Sequence, residues 1–154
     1  MAKTLEERMD EAESRGREYF KQGLNCSECV LRTFMDMHET GLPEAVIRLA
    51  SGFGGGMGHT KNTCGAVTGA VLALGAVKGR DPFAEEEVKE RIRQLNEEVY
   101  PSCAPMIREM EQEYGTLICA ELSAPHGDFE GRTRKKSCMQ MIGYCCRLAE
   151  KYAE

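Results

Sequence analysis

The sequence has no uncharged stretch long enough to cross a bilayer. Its longest apolar run, CGAVTGAVLALGAV at 64–77, falls short of the about 20 apolar residues that a spanning helix needs, so membrane insertion is not expected. There is no excess of cations either. Twenty Lys and Arg stand against 25 Asp and Glu, for a net charge of −5, which argues against a general nucleic-acid binder. The opening stretch, MAKTLEERMDEAE, is charged and amphipathic and carries no apolar h-region. It does not read as a signal peptide, and a cytoplasmic location is the expectation. Strand signals are scarce, and no repeat or linker divides the chain.

Other absences narrow the chemistry. The three histidines, His38, His59 and His126, share no ligand-like spacing. His59, the nearest of them to a cysteine, reads as a surface loop residue before it reads as a ligand. The glycine-rich GFGGGMG at 52–58 resembles a phosphate loop but fails both nucleotide patterns. No lysine follows its last glycine, Met57 stands where the dinucleotide pattern requires glycine, and a helix precedes it instead of a strand. No nucleotide is expected. Cys26 and Cys29 form a C-x-x-C followed by Val30 and not by His, so covalent haem attachment is excluded.

What the chain does have is cysteine: eight among 154 residues. Thiols that stay reduced in a protein that is not exported point to metal binding or redox chemistry before a disulfide framework. The periodicity is helical almost throughout. Thr4–Glu7 and Asn25–Glu28 read as capping boxes opening helices to about Gln22 and about His38. Pro43 starts a short helix. Thr63 is expected to cap a helix over 64–78, uncharged and rich in Gly and Ala, and so the buried centre of the fold. Asp81-Pro82 opens a charged helix to about Val99, which Pro101 is expected to break. Ser102 caps the next helix, and a short one follows Thr116. Residues 123–136 read as a loop, and Ser137–Gln140 as a third box that opens the last helix. The expectation is an all-α, single-domain bundle, 1–154, of about six to seven helices around that central one.

Four cysteines share one local setting: Asn25-Cys26, Thr63-Cys64, Ser102-Cys103 and Ser137-Cys138. In each a capping residue precedes a cysteine at the expected first helical position. Free N–H groups and the positive end of the helix dipole favour a thiolate there. A cysteine is also a small apolar residue, and a chance start at four helices is the plainer alternative. Cys145 falls on the apolar stripe Cys138, Met141, Ile142, Cys145, Leu148 and reads as core. Cys146 lies beside that stripe. Cys119 is undecided on local grounds. Most of the nine methionines read as gap-filling core. The basic Arg132, Arg134, Lys135 and Lys136 would help to hold an anionic site near Cys138.

The blocks NCSECVLRTF, SGFGGGMGHTKNTCGAVTGAVLALG, YGTLICAEL and SCMQMIGYCCRLAEKY resemble the redox-active protein family known by its cysteine pattern C…GCAxxG…C…C. That family in turn resembles the C-terminal part of split-Soret cytochromes, which carry an iron–sulfur cluster besides their haems. The resemblance implies a [2Fe–2S] cluster, without haem, on Cys26, Cys64, Cys119 and Cys138, and a redox partner protein of unknown identity. It favours Cys119 where capping favours Cys103. No ferredoxin-type spacing joins the four, so the fold must assemble them. Two alternatives stand beside an electron-transfer role: a cluster-free thiol–disulfide protein using Cys26 with Cys29 or Cys64 with a neighbour, and a zinc-stabilised or metal-free helical interaction module. The Gly65 and Gly69 spacing could serve a homodimer as readily as a core.

Overall fold

A computed structural model describes all 154 residues. It is all-helical, with seven α-helices and no strand; an isolated antiparallel bridge joins Thr63 to Ile118. No helix is long and apolar enough to cross a membrane.

The first two helices begin where their caps place them. In α1, Leu5–Lys21, the Thr4 hydroxyl accepts the Glu7 N–H at 3.1 Å. In α2, Cys26–Met37, the box is complete: Asn25 Oδ1 accepts the Glu28 N–H at 2.9 Å, and the Glu28 carboxylate accepts the Asn25 N–H at 3.0 Å. A 3₁₀ stretch, Glu44–Phe53, follows Pro43. Then α3, Gly65–Lys78, lays its small residues Ala66, Gly69, Ala70 and Ala73 into the core. A Cβ on Gly69 would lie 2.8 Å from the Ser27 carbonyl oxygen. Glycine there lets α3 close onto α2, so in this chain the small-residue face serves the core. The opposite edge of α3, at Val71 and Val77, stays exposed.

The next segment departs from expectation. Pro101 does not end a helix. Val88–Gln94 (α4) runs through a π-helical stretch, Leu95–Val99, into α5, Tyr100–Tyr114. The widened turn is bonded from the Tyr100 N–H to the Leu95 carbonyl, and it takes up the register error that a proline without an N–H creates. The Ser102 hydroxyl donates back to the Val99 carbonyl at 2.7 Å, as a serine within a helix does, and caps nothing. No residue of α4 is buried. Arg91 Nε donates to the Glu85 carbonyl at 2.5 Å and Arg80 to the Arg91 carbonyl, and these bonds fasten α4 to its flank.

The last helix also starts early. After the short α6, Cys119–Ser123, α7 spans Arg132–Tyr152 behind Gly131. The Arg and Lys residues read as loop are good helix formers, and they extend the helix ahead of Ser137. α7 packs along α1 and crosses α2 and α3. Between them lie Val30, Phe34, Leu74, Met106, Met110, Ile142 and Leu148, all buried.

Candidate functional site

The chain from Gly55 to His59 takes five consecutive left-handed residues, with φ between 62° and 73°. Glycine adopts this conformation without strain; Met57 and His59 adopt it at a cost. The result is a tight reversed turn. The Lys61 N–H bonds to the Gly55 carbonyl and the Asn62 N–H to the Gly56 carbonyl, both at 2.9 Å. The segment leaving the turn then pairs with the segment entering α6. The Cys64 N–H donates to the Leu117 carbonyl at 2.8 Å, the Cys119 N–H to the Asn62 carbonyl at 2.6 Å, and the Ala120 N–H to the Lys61 carbonyl at 3.0 Å. That pairing sets Cys64 and Cys119 side by side, though they are remote in sequence.

Cys26, Cys64, Cys119 and Cys138 all line one cavity of about 40 Å³, together with Gly55, Gly56, Gly65, Arg134 and Met141. This volume has room for about three or four water-sized atoms. Backbone crowds its walls. A Cβ on Gly65 would lie 2.3 Å from Cys26 Sγ, and one on Gly56 2.8 Å from Cys119 Cβ. Only glycine fits at either position. The glycine turn thus lies against the cysteines. All eight thiols are free. No group of three or more His, Cys, Asp or Glu side chains is arranged to hold a metal ion. The four cysteines share the wall of this one cavity.

The helix-start argument needs correction in three places. Cys26 is at the first position of α2, as expected. Cys64 is itself the cap of α3, and Thr63 caps nothing, being held in the bridge to Ile118. Cys138 lies within α7, because that helix begins at Arg132. Cys103 lies within α5 and not at its start, and it does not line the cavity. Cys119, which local reasoning left undecided, opens α6 and does line it.

The expected lowering of thiol pKa is also outweighed. Burial pushes Cys26 up, although the N–H groups of Gly55 and Ser27 bond to its sulfur and work the other way. Burial pushes Cys64 up to about 12, against the N–H groups of Ala66 and Val67. It pushes Cys138 up to about 11, against the Arg134 cation. Dipole and N–H groups are present, but removing a thiolate from water costs more than they return. Arg134 is the cation of the site: its Nη2 lies 3.6 Å from Cys119 Sγ. His59, the weak candidate for an extra ligand, is exposed and sits 3.2 Å from Glu130.

Cys29, Cys145 and Cys146 lie in the core. The Cys29 thiol points to the Leu24 carbonyl at 3.7 Å, away from the cavity that Cys26 lines. Burial drives Cys145 well above the ordinary thiol value.

Comparison with known sequences also picks out a cysteine pattern. The family described as "Putative redox-active protein (C_GCAxxG_C_C)" matches residues 24–152. The chain belongs to this family. The matched span holds all eight cysteines and every element that builds the cavity; α1 lies outside it. A protein of Archaeoglobus fulgidus, described as uncharacterized, is 22% identical over 136 residues, 88% of this chain and 89% of its own. No solved structure matches.

Proposed function

We propose that this redox-active family member transfers electrons through a [2Fe–2S] cluster ligated by Cys26, Cys64, Cys119 and Cys138. One observation carries the reading: four cysteines from four separate segments line a single small cavity. The donor set suits the group, since such clusters take four thiolates. The cavity is of the right order for a four-atom inorganic core, and Gly56 and Gly65 leave that space free of Cβ atoms.

When bound, the cluster would take up and release single electrons. The chain's own residues set the conditions. The Gly55 and Ser27 N–H groups aim at Cys26 sulfur, and those of Ala66 and Val67 at Cys64 sulfur. Hydrogen bonds to ligating sulfur raise a cluster's potential by stabilising its more negative state. Arg134, beside Cys119 and Cys138, adds a positive charge of the same effect. Because burial raises the pKa of Cys26, Cys64 and Cys138 in the bare chain, ligation must displace their protons, so loading depends on pH.

Anaerobic isolation followed by iron and acid-labile sulfide assay, with electron paramagnetic resonance of the reduced sample, tests the reading. The expected result is a brown protein with about two iron and two sulfide per chain. A colourless protein without sulfide overturns it.

A further inference from the structure

Beside the cysteine cavity lies a second, open depression of about 380 Å³, within the size range of small-molecule clefts. Cys26, Gly55, Arg134 and Cys138 border both. No aspartate or glutamate lines the groove, while Arg134 and His59 do. That is notable in a chain with more acids than bases.

Arg134 reaches Cys119 Sγ with Nη2 at 3.6 Å but has no carboxylate partner. Its guanidinium lies 3.7 Å from the centre of the Phe129 ring, with Nε 3.4 Å from the Ser123 hydroxyl. The same ring has Lys61 at 4.4 Å and the edge of His59 at 5.0 Å between centroids. Phe129 therefore gathers three basic side chains, of which Arg134 and His59 line the groove. The first residues of α7 sharpen this. Arg132, Arg134, Lys135 and Lys136 follow one another at the positive end of a 21-residue helix with no acid in its first turn, whereas α1 and α2 open with glutamates. Cations there are unfavourable within the chain alone. An anion in the groove would offset them.

We propose that this groove binds a small anion of carboxylate or phosphate class against the Cys26 and Cys138 side of the cavity, with Arg134 as its anchor. Its importance to redox chemistry rests on the reading above; the binding itself does not. His59 contributes less, because Glu130 at 3.2 Å competes for it.

The test is calorimetric titration of the full chain, isolated anaerobically, with citrate, with pyrophosphate and with neutral trehalose. At least one of the anions should bind saturably and trehalose should not; the stronger of citrate and pyrophosphate identifies the class. Arg134→Gln should weaken binding by about tenfold or more, the loss of a charge-assisted contact, and Arg134→Lys should recover most of it. Glu130→Gln, on the surface, should tighten binding by freeing His59. Absence of saturable binding by both anions, equal binding of trehalose, or undiminished affinity in a folded Arg134→Gln protein would overturn the proposal. Should Arg134→Gln fail to fold, unchanged affinity in Glu130→Gln overturns it. Iron and sulfide assayed on the same samples separate the two readings. A colourless protein that binds the anion keeps the groove and loses the cluster, and a brown one that binds none does the reverse.

Discussion

Cys26, Cys64, Cys119 and Cys138 ring a cavity, while Cys29, Cys145 and Cys146 fill the core between α1, α2 and α7. Both groups are largely out of water, and burial raises the pKa of thiols in each. Burial alone therefore does not separate a functional cysteine from a packing one. Backbone does. Around the first group, glycines leave space, and N–H groups from the glycine turn and the helix starts face sulfur. Around the second, glycine approaches sulfur just as closely, a Cβ added at Gly16 lying 2.5 Å from Cys146 Sγ, but these thiols lie outside the cavity. A shared cavity with backbone donors at sulfur sets the first group apart; a glycine beside sulfur does not.

Glycine substitutions turn that contrast into opposite phenotypes. The largest effect is expected from Gly65→Val, whose branched side chain would collide with Cys26 Sγ and the Phe53 carbonyl. Overpacking of about 1–3 kcal/mol placed on the ligand set should lower iron per folded chain by roughly tenfold. Iron assay on the monodisperse fraction checks this; wild-type iron content would mean that Gly65 spaces helices and not ligands. Gly16→Ala should do the converse. It overpacks Cys146 and costs about 1–3 kcal/mol of stability, read from the denaturant midpoint, with iron per folded chain unchanged.

A smaller effect is expected with pH. Cys146 has its pKa raised from 9.0 to about 12 by burial. Between those values the unfolded chain has released the proton and the folded chain still holds it. The unfolded state then binds fewer protons, so stability is constant below about pH 9 and falls as pH rises toward 12. Denaturant midpoints of the reduced, metal-free protein on either side of pH 9 measure the slope. Cys64, Cys138 and Cys145 are raised by burial as well, so Cys146→Val should make the slope shallower without abolishing it, and an equal slope in that variant would show that Cys146 contributes none of the loss.

Much of the fold could be read along the sequence because its signals are local. The Thr4 and Asn25 caps need only residues three positions apart, and the Gly and Ala face of α3 declares its own burial. The misreadings arose where a local signal met a longer-range alternative. Pro101 is absorbed by a π turn that spreads its missing N–H over the preceding helix. Ser137 resembles a cap but lies inside a helix that Arg132 to Lys136 had already begun. The site shows the same division. Cys26 was legible from its cap, whereas Cys119 reaches the cavity through the pairing of residues 61–64 with 117–120, which no local spacing encodes. The family resemblance supplied Cys119 because it carries the outcome of the fold. Thiol pKa was misjudged for a related reason: helix ends are local, desolvation is not.

The most direct test is a serine scan of all eight cysteines, with iron and acid-labile sulfide measured per folded chain after anaerobic isolation. Cys26→Ser, Cys64→Ser, Cys119→Ser and Cys138→Ser should each lose most of the cluster, while Cys29→Ser, Cys103→Ser, Cys145→Ser and Cys146→Ser should keep it, the buried ones at reduced stability. Retention in Cys119→Ser together with loss in Cys103→Ser or Cys145→Ser would contradict the account.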